Sequence, residues 1–267
     1  MTNEIAPNQS STLLKALHIL TIDGKLNQDS RRKLKQVNHL VNFIAPLIKD
    51  LANPTIVDIG AGKSYLGFML YDWLLKTREN GQIIGIENRI DLVEKSRMLA
   101  EDCGFNRMQF LALNAAESIA CDKIPAQIDM VTALHACNTA TDDAIAFGLA
   151  KKARFIVLVP CCQAEVAEVL RLKKNESFGK TPLSEIWRHP IHTREFGSQI
   201  TNVLRCLQLE SAGYNVTVTE LVGWEHSMKN ELIIAKYTGQ PRKNARDRMQ
   251  AILTEFNLQD LQPRFAS

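Results

Sequence analysis

The sequence lacks the features of a membrane or secreted protein. No apolar run approaches the roughly 20 residues that a helix needs to cross a bilayer. The first residues lack the basic flank, apolar core and small-residue cleavage site of a secretory signal. The six cysteines do not fall at the short, regular spacings of a disulfide framework. We therefore expect a cytosolic protein with reduced thiols that does not bind a membrane.

The sequence also has little net charge. The value of +3 is too small to indicate a nucleic-acid-binding protein by itself. Residues 151–205 hold ten Lys or Arg and five Glu, which indicates an anionic partner or, alternatively, a solvated basic helix face. Apolar residues make up 45% of the chain and charged residues 23%, a composition that excludes a disordered chain.

Three parts are predicted along the chain. Residues 1–52 form a helical extension of two or three helices, and Asp29 or Ser30 is the predicted cap of the longest one. Residues 53–238 alternate between strands and helices. Residues 239–267 form a tail with one amphipathic helix.

The strands of the middle part are short and apolar on both faces. Five are predicted: TIVDIG, QIIGIE, MQFLAL, IDMVTAL and RFIVLVP. Their alternation with helices predicts an α/β fold with a parallel sheet covered on both faces. After an irregular insertion at 179–193, a helix should place Ile200, Val203, Leu204 and Leu207 in helical register and end at Gly213. NVTVTELV and NELIIAKY are predicted to form a strand pair.

The stretch VDIGAGKS at 57–64 follows the first strand and resembles two kinds of loop. A Walker loop needs glycine where Val57 stands, and a dinucleotide loop needs a third glycine that is absent here. Asp58 lies two residues before Gly60, where a carboxylate would repel a pyrophosphate but would suit a cationic ligand. S-adenosylmethionine is such a ligand, and Gly60 and Gly62 would let the backbone approach it closely.

Two further residues follow strands where that cofactor would need polar contacts. Glu87 ends the second strand and could accept hydrogen bonds from both ribose hydroxyls, although an acid there also serves NAD. Asn114 follows the third strand and could meet the adenine edge. The alternative for each is an ordinary strand-end or turn residue.

The glycine loop with Asp58, the acid Glu87 and the amide Asn114 follow the first three strands in this order. With them, residues from about Thr55 to Tyr237 resemble the class I S-adenosylmethionine-dependent methyltransferases. The resemblance implies a doubly wound, mostly parallel, seven-stranded Rossmann-like sheet whose last strand is antiparallel. It also implies S-adenosylmethionine as cofactor, held by Asp58, Gly60, Gly62, Glu87 and Asn114. The sequence departs from the family pattern at Ser64, where many members have glycine, and at Asn114, where many have Asp.

The segments LHACNTATDDAI and VPCCQ resemble the branch that contains the eukaryotic tRNA ribose 2′-O-methyltransferase. That resemblance implies an RNA acceptor, either tRNA or rRNA, methylated at a ribose hydroxyl or a base nitrogen. The zinc-finger segments of the eukaryotic enzyme are not found in this sequence.

The predicted acceptor side lies where LHACN, VPCC and GWEHSMKN should converge beyond the strand ends. His135 is the candidate catalytic base or orienting group, or else a structural histidine. Asn138 could orient the acceptor or cap the next helix. An extruded base could contact the last turn, at Trp224, His226, Lys229 and Asn230, although Trp224 could instead pack on the sheet.

Other interpretations remain open at this stage. His135, Cys137, Cys161 and Cys162 could form a zinc site, but adjacent cysteines point in divergent directions, and no metal is predicted. The methyl acceptor could be a small molecule or a protein. The chain could also be a non-catalytic cofactor-binding scaffold or an NAD-dependent oxidoreductase. The N-terminal helices, with Arg31, Arg32, Lys33 and Lys35, would cover the cofactor or grip the acceptor, or present a solvated face.

Overall fold

The computed structural model describes residues 5, 9–134, 139–160, 164–173, 182–221 and 230–265. Its centre is a seven-stranded sheet. The strands are β1 (Thr55–Ile59), β2 (Gln82–Glu87), β3 (Met108–Ala112), β4 (Met130–Leu134), β5 (Phe155–Val159), β6 (Tyr214–Glu220) and β7 (Glu231–Tyr237). All five strands that the apolar runs predicted are present, and so is the strand pair.

The strand order across the sheet is β3-β2-β1-β4-β5-β7-β6. The strands β1 to β5 pair in parallel, and β7 is antiparallel to both of its neighbours. The order reverses between β1 and β4, so the connections after these two strands leave in opposite directions and open a crevice at the carboxyl edge. This arrangement confirms the predicted doubly wound, Rossmann-like sheet with one antiparallel strand.

Helices cover both faces of the sheet. Those before β5 are α1 (Ser11–Ala16), α2 (Gln28–Ile48), α3 (Tyr65–Leu70), α4 (Ile90–Asp102), α5 (Ala115–Ile119) and α6 (Ala140–Ala150). Those after it are α7 (Glu165–Leu172), α8 (Pro190–Ser211), α9 (Ala245–Glu255) and α10 (Gln262–Phe265). None of the helices in these described segments is long and apolar enough to cross a membrane.

Alternate residues of the strands enter two separate cores. In β5, Val157 packs with α1 to α4 on one face, while Ile156 and Leu158 pack with α6 and α8 on the other. Because side chains alternate across a strand, a strand buried on both faces needs an unbroken apolar run. A third core joins α7, α8 and the C-terminal helices.

The N-terminal helices share the first of these cores with the sheet. Apolar residues of α1 and α2 pack with Ile56 and Ile83 of the central strands. The predicted cap of α2 was wrong: Asn27 caps the helix, because its side chain accepts a hydrogen bond of 2.8 Å from the Ser30 amide. Ser30 instead donates its hydroxyl to the His18 carbonyl, which ties α2 to the end of α1.

Two other predictions of local structure were wrong. The segment 179–193 was predicted to be irregular, but a 3₁₀ helix spans Pro182–Arg188 and α8 begins at Pro190, a residue suited to the first helical position. The helical register placed Val203 with the apolar residues Leu204 and Leu207 of α8, but its side chain is 44% exposed. The buried face of α8 includes Asn202 and Arg205, so an apolar pattern alone could not locate it.

Candidate functional site

The loop after β1 is shaped by left-handed backbone. Gly60, Gly62 and Ser64 have φ values of 66°, 58° and 53°. Glycine adopts this region without steric cost, which explains its presence at the first two positions. Ala61 donates its amide to the Ile86 carbonyl of β2, at 3.0 Å. The loop is therefore held against the carboxyl end of the neighbouring strand.

Asp58 lies within β1, two residues before this loop. Its side chain is buried, and its Oδ1 accepts a hydrogen bond of 2.8 Å from the Thr132 hydroxyl on β4. Burial raises the pKa of this carboxyl to about 7, and the Thr132 hydrogen bond opposes part of that rise. No cationic side chain in the described part of the chain pairs with Asp58. A buried carboxylate without a cationic partner suits a ligand that brings a positive charge.

Glu87 ends β2 and fastens the loop. Its Oε2 accepts a hydrogen bond of 2.9 Å from the Gly62 amide, and its Oε1 accepts from the Arg89 amide and Nε, both at 3.1 Å. The side chain is buried, which limits its rotation. Since each carboxylate oxygen has two lone pairs, Oε1 is fully used by Arg89, and Oε2 keeps capacity to accept one further hydrogen bond.

A cavity of about 440 Å³ opens beside the loop. Asp58, Gly60, Ala61 and Gly62 form one side of it, and Arg89 and Leu134 lie at strand ends around it. Its other residues come from α2 and α3: Lys33, Gln36, Val37, Tyr65 and Leu66. The cavity therefore combines a buried acid, two basic side chains and an apolar wall.

The structure gives Asn114 a capping role. Asn114 is exposed and caps α5, a short helix that was not predicted. Its Oδ1 accepts from the Glu117 amide at 2.8 Å, while Glu117 accepts from the Asn114 amide at 3.0 Å. This reciprocal pair is a capping box, and the Asn-x-x-Glu spacing was its signal. Asn114 is not among the residues that line the cavity, and its contact with adenine stays a prediction.

Most predicted acceptor residues lie outside the described residues. These are His135, Asn138, Trp224 and Lys229, as well as the cysteines and histidines discussed for a zinc site or a base contact: Cys137, Cys161, Cys162 and His226. Asn230 is described: it is buried at the start of β7, and its carbonyl accepts a 2.8 Å hydrogen bond from the Leu221 amide.

The strand ends that lead into these segments meet at one edge of the sheet. Leu134 of β4 pairs in register with Val159 of β5, and Leu158 pairs with Ile233 of β7. The same edge carries the loop after β1, because parallel strands end together. The sheet thus brings the flanks of all three predicted acceptor segments to the edge that holds the cavity.

Behind this edge lies a buried ion pair that the sequence did not predict. Arg205 of α8 donates to both carboxylate oxygens of Asp142, from Nε at 2.6 Å and from its terminal nitrogen at 2.9 Å. Arg205 also donates to Asn202, whose amide donates to Glu231 at the start of β7. The pair joins α6, α8 and β7. An arginine next to Leu204 in an apolar helix was the available signal.

Comparison with known proteins identifies a related family. A family model described as a methyltransferase domain matches residues 32–169. The chain is also similar to the glutathione S-transferase C-terminal domain-containing protein of Homo sapiens, with 25% identity over 230 residues, 79% of this chain and 34% of that protein. The Drosophila melanogaster homolog is 26% identical, over 78% of this chain and 37% of its own length. The chain spans about a third of the length of the curated relatives it matches.

Solved structures share the fold. An O-methyltransferase from Bacillus cereus, described in complex with SAH, superimposes with a TM-score of 0.51. The alignment covers 88% of this chain and 94% of that chain, at 14% sequence identity. At this identity the similarity concerns the fold alone, and it agrees with the sheet described above.

Proposed function

Because the chain belongs to the methyltransferase-domain family, we propose that it binds S-adenosylmethionine in the cavity beside the Gly60–Gly62 loop and transfers the methyl group to an acceptor. The observation that carries this proposal is Asp58, a buried carboxylate at that cavity without a cationic partner among the described residues. The cofactor has an ammonium and a sulfonium group, and either would favour the ionised form of Asp58.

The glycines of the cavity and the neighbouring Glu87 fit the same ligand. The positive φ values of Gly60 and Gly62 leave a backbone surface without side chains. Glu87, next to the cavity, is held by the Gly62 amide, and its Oε2 has one lone pair available for a ribose hydroxyl. When bound, the cofactor would supply an activated methyl group. The protein then has to align an acceptor and, for a hydroxyl, remove its proton.

For the acceptor we favour RNA, either tRNA or rRNA, at a ribose hydroxyl or a base nitrogen. The resemblance of LHACN and VPCCQ to the tRNA ribose methyltransferase branch supports this choice. A second support is that Arg31, Arg32 and Lys35 are exposed on α2, a helix that lines the cavity, where they could contact phosphates.

In this proposal the segments at the carboxyl edge hold the acceptor. His135 accepts the proton of the attacking hydroxyl or orients it. Asn138, Trp224, Lys229 and Asn230 contact the RNA by hydrogen bonding and stacking. Asn230 stands at the start of β7, on the same edge as Leu134.

Cofactor binding is tested by calorimetry with S-adenosylhomocysteine (SAH) and with NAD. We expect the wild type to bind SAH and not NAD, and Asp58→Asn to bind SAH at least tenfold more weakly, since a lost charge-assisted contact costs about 1.5–3 kcal/mol. Asp23→Asn, which removes an exposed carboxylate in the turn before α2, is the matched control and should bind normally. Binding of NAD in place of SAH would overturn the proposal.

Methyl transfer is tested with labelled S-adenosylmethionine and fractionated tRNA, rRNA, protein and metabolite pools. We expect label in an RNA fraction, and loss of transfer in His135→Ala with SAH affinity retained. His192→Ala, on the exposed side of α8, is the control. Label in protein or metabolites instead would overturn the RNA acceptor. If the wild type labels no pool, the chain is a cofactor-binding scaffold.

A further inference from the structure

We infer that Lys33, a residue of the N-terminal extension, binds the carboxylate of the amino-acid end of the ligand whose ammonium faces Asp58. This inference rests on the proposed function, because it assigns a residue to the same cavity. It would make the N-terminal extension part of the ligand site. The inference depends on the position of Lys33, on the charges in the cavity and on the chemistry of the ligand.

The position of Lys33 follows from the geometry of α2. Lys33, Gln36 and Val37 are spaced by three and four residues, so they lie on one face of the helix. All three line the cavity that also contains Asp58. Leu34 and Leu40 turn into the core and fix the orientation of this face. The helix therefore presents Lys33 to the cavity beside the loop after β1.

The charges of the cavity single out Lys33. Two basic side chains line the cavity, and one of them, Arg89, is paired with Glu87 at 3.1 Å. No carboxylate of the described residues forms an ion pair with Lys33. Asp58 on the other side of the cavity likewise has no cationic partner among those residues. The cavity thus presents one acid and one base that are not neutralised by each other.

A zwitterion satisfies both groups at once. The amino-acid end of S-adenosylmethionine or SAH carries an ammonium and a carboxylate on the same carbon atom. If the ammonium faces Asp58, the carboxylate on the same carbon atom also lies in the cavity and needs a basic side chain as its partner. A nucleotide phosphate would suit Lys33 but would be repelled by Asp58. The combination of both charges therefore favours an amino-acid group over a phosphate.

The test compares two ligands that differ only by the carboxylate, namely SAH and decarboxylated SAH. In calorimetry, we expect Lys33→Gln to weaken SAH binding about 5- to 20-fold, because a charge-assisted contact at a solvent-exposed lysine is partly screened. The same variant should bind decarboxylated SAH as the wild type does. Lys25→Gln, with the same charge change at an exposed turn of the extension, should leave both affinities unchanged.

The outcomes separate this inference from the proposed function. A wild type that binds no SAH would overturn the proposed function and this inference with it. A wild type and a Lys33→Gln variant that bind SAH equally would overturn the inference alone. If Lys33→Gln weakened both ligands by the same factor, Lys33 would act on the cavity as a whole and not on the carboxylate, which would also overturn the inference. Thermal denaturation of the Lys33→Gln variant checks that it is folded like the wild type.

Discussion

Asp58→Asn should stabilise the free protein while it weakens ligand binding. The amide has the same shape as the carboxylate, and its oxygen can still accept the hydrogen bond from Thr132. It removes a charge that is buried at 3% exposure without a cationic partner among the described residues. We therefore expect the variant to be more stable than the wild type at neutral and alkaline pH.

The magnitude follows from the pKa of Asp58. A carboxyl whose pKa is higher in the folded than in the unfolded state binds its proton more tightly when folded, so stability falls as pH rises between the two values. Here the pKa rises from 3.8 to about 7. Above pH 7 this difference lowers the free energy of unfolding by about 4 kcal/mol. At pH 5 the free energy of unfolding is lowered by only about 2 kcal/mol.

Urea denaturation of both proteins at pH 5 and pH 8 measures this difference. The advantage of Asp58→Asn should grow by about 2 to 3 kcal/mol between the two pH values. SAH should reduce that growth, because a cation beside Asp58 lowers the pKa of its carboxyl. Equal stability of the two proteins at both pH values, or unchanged SAH affinity in the variant, would refute the reasoning.

Three other substitutions test the structure away from this carboxyl. Ser64→Gly should raise the free energy of unfolding by about 1 kcal/mol, because Ser64 has a φ of 53° and a buried hydroxyl without a hydrogen-bond partner among the described residues; a lower value in urea denaturation would contradict this. Arg205→Met should lower it by about 3 kcal/mol, because buried Asp142 loses both hydrogen bonds from Arg205 and keeps only the longer ion pair with Arg264 at 3.6 Å; the additional change Asp142→Leu should restore part of that loss. Gly85→Ala should cost about 1–3 kcal/mol, since a Cβ there would lie 2.8 Å from the Phe110 ring; a thermal midpoint equal to that of the wild type would show that the ring can move.

The sheet could be predicted from the sequence because its strands are buried on both faces. Ile83, Ile84 and Ile86 of β2 are all fully or almost fully buried, and short apolar runs of this kind between helices are typical of a parallel sheet with helices on both sides. The loop could also be predicted, since left-handed backbone explains Gly60 and Gly62.

Local patterns failed where packing or backbone geometry overrides them. In the helix after the loop, the spacing of the apolar residues places Trp73 and Leu74 on one helical face with Leu66, Met69 and Leu70. The residues Tyr71–Leu75 instead form a π turn, which rotates the face so that Tyr71 and Leu75 are buried. The position of Val203 could not be predicted because α8 buries Arg205, and the partner of Arg205 is 63 residues away in the chain.

In the cavity, too, some residues could be predicted from the sequence and others could not. Asp58 and Gly62 were identified by their position after a strand. The helix that carries Lys33 was predicted to cover the cofactor or grip the acceptor, but the sequence did not indicate that Lys33 and Gln36 line the cavity, because their distance from the loop depends on how α2 packs against the sheet. The assignments of His135, Asn138, Trp224 and Lys229 stay predictions, and the division of the chain at residues 52 and 238 does too.

The shared core of α2 and the central strands has a consequence for how a ligand arrives. Since Val37, Leu40 and Ile44 belong to the same core as Ile56, an outward movement of α2 would open that core. We therefore expect the wall that it forms to be in place before binding, so that association requires little ordering of the backbone. Amide hydrogen exchange along α2 should accordingly be as slow as in β1, with or without ligand.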